Sequence, residues 1–139
     1  MAESLYDKIG GRKTLEKVHK VFYTRLLKHE WLKLFFRGIN QTILENQQSD
    51  FICEAMGGPK CYSGKFPIPT HKHMLITDEQ FMIRHKILEE SILFCGVSKE
   101  LSLAWLKIDK AFQAGICKKS IDECEKRYAT DKLLAFPKP

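Results

Sequence analysis

Two histidines stand two residues apart in the stretch FPIPTHKHMLIT, directly after Pro67 and Pro69 and in an otherwise apolar setting. A neutral imidazole offers a lone pair to a metal and carries a proton near neutral pH, so His71 and His73 are both candidate ligands. Thr70 is a candidate cap for a short helix beginning at His71. Two positions on a helix are about 200° of rotation, which puts the two rings nearly opposite each other. They cannot readily hold one small ion together, and a single histidine is more often a surface or satisfied core residue than a ligand. His19, His29 and His85 show no metal spacing with a thiol or carboxylate on one face and read as surface residues.

Two further polar residues sit on apolar faces. Gln48 interrupts the run Leu44, Gln48, Phe51, Ala55, with Gln47 beside it. A buried amide without a partner costs about 1–3 kcal/mol, so Gln48 lies at a boundary or meets a polar group inside a cavity. Tyr23 adjoins Phe22 on the side shared with His19, Leu26 and Leu27, so its ring can be buried while its hydroxyl finds a partner, in the core or in a cavity. No Ser-His-Asp ordering, phosphate loop or paired-carboxylate pattern is present.

The elements that position these residues are helical. Leu15, Val18, Phe22 and Leu26 repeat at three- and four-residue spacing and predict an amphipathic helix over 13–28, set off from a short N-terminal turn by Gly10 and Gly11. The segment EWLKLFFRG predicts a short helical piece closed by Gly38. Its Phe35-Phe36 pair is too apolar to face water and is expected to line something. Asn40 caps a third helix running to about Met56, and Gly57, Gly58 and Pro59 end it.

Residues 60–70 read as an ordered loop, in which Pro67 and Pro69 push Phe66 and Ile68 toward extended backbone. Thr77 and Gln80 form a capping-box pattern that opens a long helix, with Phe81, Leu88, Ile92 and Cys95 facing a core and Gly96 as its stop. Ser98 caps the next helix, which presents Leu101, Ala104, Trp105, Ile108 and Phe112 and ends at Gly115. Ser120 and Glu123 predict a last one toward Phe136. No period-2 stretch competes, so the class is all-α.

The 139 residues suit one domain. A net charge of +6 can attract phosphates, but the lysines are scattered among Glu and Asp as on solvated helix faces, which argues against nucleic acid. The N-terminus lacks a secretory pattern and no run is long enough to span a membrane, so the expected location is cytoplasmic. Five cysteines without a CxxC pair read as reduced thiols rather than a disulfide framework, and their spacing disfavours zinc.

Taken in order, SLYDKIGG, VFYTRLL, LFFRGIN, QQSDFICEAMGGPKCYSGK and THKHMLITDEQF resemble a truncated (2-on-2) haemoglobin of group I over about residues 4 to 97. The most specific part is the GGPxxYxG element followed, seven residues after its last glycine, by His71. The resemblance implies a truncated globin fold, a 2-on-2 helical sandwich around a haem. Residues 1–119 form the globin domain, and 120–139 are a C-terminal extension expected to be helical and docked. It further implies haem b (iron protoporphyrin IX) held by His71 as the iron ligand, with Phe36 packed on the porphyrin.

Tyr23 matches the tyrosine that donates a hydrogen bond to bound O2, and Gln48 the glutamine that supports it, which makes these two the catalytic candidates. Leu44 occupies the place of the distal histidine of larger globins, Gln47 and Phe51 flank the haem, and Tyr62 lies near its propionates. Gly57, Gly58 and Gly64 match backbone hinges, and His73 falls outside the ligand position, on the solvent or propionate side. Gln47 departs from the family, where a basic residue is common, and Pro67 and Pro69 crowd the turn before His71.

The function implied is binding of O2, NO and CO, with NO dioxygenation if an external reductase returns the iron to the ferrous state, by a monomer. The alternatives are an oxygen store, carrier or gas sensor on the same haem, and a haemless helical interaction domain.

Overall fold

Leu15, Val18, Phe22 and Leu26 are all buried along one face of α2 (Arg12–Leu26), the first long helix of the computed structural model, which describes residues 3–60, 62 and 67–139. Before it, α1 (Leu5–Ile9) ends at Gly10 and Gly11, whose φ angles of 104° and 74° lie in the left-handed region that glycine adopts without a Cβ penalty. The same face of α2 also buries His19, at 1% exposure, which corrects its assignment to the surface. His19 follows Leu15 by four residues and precedes Phe22 by three, so the helical repeat that buries those two buries it as well.

After a 3-10 helix (Leu32–Phe36), α3 (Gln41–Ala55) begins where the Asn40 side chain accepts the Ile43 N–H. It ends at the Gly57-Gly58 pair. A Cβ on Gly58 would come within 2.7 Å of the Tyr6 ring and 2.9 Å of the Cys53 carbonyl oxygen, so the chain can pass under α1 only as glycine there. The long α5 (Asp78–Phe94) opens with the full capping box: the Thr77 hydroxyl accepts the Gln80 N–H, and the Gln80 side chain accepts the Thr77 N–H. Ser98 caps α6 (Lys99–Lys110). Helix α2 packs on α3 and on α5, and α5 on α6, giving a sandwich of two helices over two with the apolar core between them.

Three expectations about the elements are corrected as well. Of the predicted loop 60–70, Cys61, Ser63, Gly64, Lys65 and Phe66 lie outside the described residues, but Pro67–His71 form a helix, α4, with Ile68 helical inside it. Both prolines fall in its first turn, where an N–H has no intrahelical acceptor and the ring has no preceding turn to strike. Thr70 is thus inside a helix that ends at His71, not the cap of one that starts there. Helix α6 stops at Lys110, and Gly115 lies within the separate short α7 (Gln113–Ile116).

The C-terminal segment is the third correction: its Ser120–Glu123 capping box closes, yet the helix lasts only for the 3-10 turn Ile121–Glu123. Beyond it, backbone groups pair with distant chain instead of with a next helical turn. Glu125 N–H donates to the Lys72 carbonyl, Leu134 N–H to that of His73, and Leu75 N–H to that of Leu134. Trp31 closes the same tail by donating its indole N–H to the Phe136 carbonyl at 2.8 Å. Among the described residues the only bridges are two isolated parallel ones, Met74 with Leu134 and Ile76 with Cys117, and no helix is long and apolar enough to cross a membrane. Cys53, Cys95, Cys117 and Cys124 are free thiols.

Candidate functional site

The tight start of α4 brings the Pro67 carbonyl 2.6 Å from Nδ1 of His71, which donates to it. That bond fixes the tautomer and leaves Nε2 as the lone-pair nitrogen. Burial, opposed by this hydrogen bond, pushes the His71 pKa down to about 4, so the imidazole is neutral at neutral pH, the form a metal requires. His71 lines a cavity that also takes in Tyr23, Phe36, Leu44, Gln47, Gln48, Phe51 and Tyr62. All eight residues singled out in the sequence therefore face one space, supplied by α2, the 3-10 helix, α3, the segment after α3, and α4.

The walls are aromatic. Phe51 meets the Tyr62 ring edge-on at 5.3 Å and lies 5.4 Å from the Phe112 ring, while Tyr23 packs edge-on against Phe22 at 5.0 Å and Phe36 at 6.3 Å. Tyr23 is 6% exposed, and burial pushes its pKa up to about 12, so its hydroxyl stays protonated and available as a donor. No described residue accepts from that hydroxyl. Gln48 is half-buried and Gln47 exposed at the rim. A flat, largely apolar group with a metal centre matches this set of one neutral imidazole, aromatic walls and two polar donors in its chemistry.

His73 is not at this site. It is 3% exposed rather than solvent-facing, on the segment whose backbone the C-terminal tail pairs with, where Arg127 and Asp131 act on it electrostatically. His29 accepts the N–H groups of Trp31 and Leu32 through Nδ1 and so caps the 3-10 helix. Among the described residues, no group of three or more His, Cys, Asp or Glu could hold a metal ion.

Sequence reasoning missed two charged residues in the cavity wall, Arg84 of α5 and Asp109 of α6. Nη1 of Arg84 donates to both Asp109 oxygens, at 2.7 and 2.9 Å, and Nδ1 of His85 donates to Oδ2 at 2.8 Å. His85 is thereby also corrected from a surface residue to a member of this cluster. Against the cost of burial, the Arg84 guanidinium holds the Asp109 carboxyl below the usual carboxylate range. The signal was in the spacing: Arg84 is three residues after Phe81 and four before Leu88, and Asp109 is four after Trp105, so both occupy core-face positions.

Comparison with known proteins accords with this geometry. The bacterial-like globin family profile matches residues 4–114. A group 1 truncated haemoglobin of Mycolicibacterium paratuberculosis is 37% identical over 97 residues, 70% of this chain and 71% of that protein. One from Nostoc commune is 30% identical over 103 residues, 74% of this chain and 87% of that protein. The crystal structure of the Fe(III) form of truncated haemoglobin from Tetrahymena pyriformis superposes with a TM-score of 0.79 at 26% identity, covering 84% of this chain and all of that one. With this fold and these relatives, the chain belongs to the bacterial-like globin family as a truncated haemoglobin of group 1, and so binds haem and through it diatomic gases.

Proposed function

We propose that the chain holds haem b, for which His71 would be the iron ligand, and that Tyr23 and Gln48 would donate the hydrogen bonds that retain bound O2. The observation that carries this reading is the pairing, in one aromatic-lined cavity, of a neutral His71 fixed by the Pro67 carbonyl with a protonated Tyr23 hydroxyl that no described residue accepts from. When bound, haem supplies an iron that takes O2, NO or CO. Phe36, Leu44 and Phe51 exclude water from the face they cover, Gln47 and Tyr62 stand at the rim, and the phenol and amide stabilise partial negative charge on a ligand where the local dielectric is low.

Strong retention of O2 by Tyr23 and Gln48 would suit oxidation of NO to nitrate, chemistry that the haem iron would supply at the expense of one electron. A cytoplasmic reductase is the partner that restores it, and the working unit is a monomer. Residues 1–119 form the haem-binding domain, and 120–139 a strap docked on its proximal segment.

Absorption spectra of the ferric, ferrous and CO-bound forms after haem reconstitution test this. A Soret band with a histidine-ligated ferrous spectrum is expected, and His71→Ala should abolish that ligation. An unchanged spectrum in the variant removes His71 as the ligand, and no Soret band at all would mean a haemless interaction domain.

A further inference from the structure

Arg84 and Asp109 are the charged side chains among the described residues that line the cavity, and the two are not equivalent. Asp109 is 4% exposed, and its oxygens are taken up by Nη1 of Arg84 and by His85. Arg84 uses Nη1 alone. Its Nε and Nη2 protons meet no acceptor among the described residues, while its guanidinium lies 5.2 Å from the Phe22 ring centroid and 5.8 Å from that of Phe81. The pair therefore combines an anchored negative end with a positive end that keeps spare donors in the cavity wall.

The guanidinium also lies within electrostatic reach of both proposed ligand positions. Arg84, His71 and Tyr23 line the same cavity, so the guanidinium charge acts on the space between them. With 25% of its side-chain surface still exposed, Arg84 is not sealed into the core as Asp109 is.

We propose that Arg84 makes this cavity selective for small iron-binding anions, such as azide or nitrite, by donating from Nε and Nη2 while Asp109 and His85 hold the guanidinium in place. This rests on the haem reading above, and Arg84 is its specificity-determining residue.

The test is titration of the ferric, haem-loaded protein with azide, followed by the Soret shift, with imidazole as a neutral comparator. Arg84→Met alone would orphan the buried Asp109, so the variant is the double Arg84→Met/Asp109→Asn, in which asparagine still accepts from His85. Loss of a charge-assisted hydrogen bond predicts an azide Kd raised about tenfold or more, with imidazole affinity little changed. Asp109→Asn alone frees Arg84 of its counter-charge and should tighten azide binding, a change that a purely structural ion pair would not produce. Parallel shifts for azide and imidazole, or an azide affinity that stays at the wild-type value, overturn the proposal. Should the double variant fail to load haem, Asp109→Asn decides alone: azide binding no tighter than wild type overturns it. If the wild-type protein itself gives no Soret band, the haem reading falls first, whereas normal loading with flat azide affinities removes only the role of Arg84.

Discussion

A buried phenol that meets no acceptor is a cost to the fold unless something arrives to take its proton donor. Tyr23 is 6% exposed, and with its pKa near 12 its hydroxyl stays protonated at neutral pH and keeps a proton to donate. Tyr23→Phe is expected to raise the O2 dissociation rate by more than about tenfold, since one hydrogen bond to a charged acceptor contributes roughly 1.5–3 kcal/mol. Stopped-flow displacement of O2 by CO reads this directly, and an unchanged rate would place the hydroxyl out of ligand reach. Gln48→Leu should act in the same direction and less strongly, because Gln48 is only half-buried at the cavity edge. These two residues were legible in the sequence because each was a polar type on an apolar face. Arg84, Asp109 and His19 occupy the same kind of position, but their types weigh against burial in any single-residue reading. Their partners, each other for Arg84 and Asp109 and Ser49 for His19, stand 25 and 30 residues away along the chain, beyond any local pattern.

At the scale of elements, caps were legible because a capping residue bonds within its own turn: Asn40, Thr77 and Ser98 all accept the N–H three residues on. Thr77→Ala should therefore cost about 1 kcal/mol in urea unfolding, and a midpoint unmoved at constant m-value would show that the α5 start is held from elsewhere. The tail was not legible in the same way. The capping box at Ser120 is a real local signal, but the choice between a second helical turn and extended chain was made by carbonyls of Lys72, His73 and Phe136 and by the indole of Trp31. Such pairings have sequence separations as large as 105 residues, which periodicity cannot register. Deleting residues 133–139 strands the Trp31 N–H, in a residue only 5% exposed, and removes the Phe136 ring that meets Phe35 edge-on at 4.9 Å. The expected loss is about 2 kcal/mol or more of stability. Equal unfolding midpoints for the two chains would show the tail to be merely lying on the surface.

At the scale of the whole molecule, one imidazole touches both helix pairs. His19 of α2 shares a 2.7 Å hydrogen bond with Ser49 of α3 and meets Trp105 of α6 edge-on at 5.8 Å, so it spans both layers of the sandwich. Burial, helped by the charges of Arg84 and Arg12, pushes its pKa down to about 3. In the unfolded chain the same group titrates near 6.5. Between those values the unfolded state binds a proton that the native state does not, so stability rises with pH across that window. It is fully present above about pH 6.5 and drains away as acid is added, at about 1.4 kcal/mol per pH unit per proton. In the haem-free protein His71, with its pKa near 4, adds a second proton to the same slope, and the lowered His73 acts in the same direction. Asp109 and Asp131, also held below their ordinary range, contribute only at more acid pH. Urea unfolding of the haem-free protein at several values between about pH 6 and 5 should therefore give a steep dependence, and His19→Gln should remove close to one proton's worth of it. An identical slope in the variant would mean that His19 takes up its proton without unfolding, and that the junction between α2, α3 and α6 opens to water while the rest of the sandwich holds.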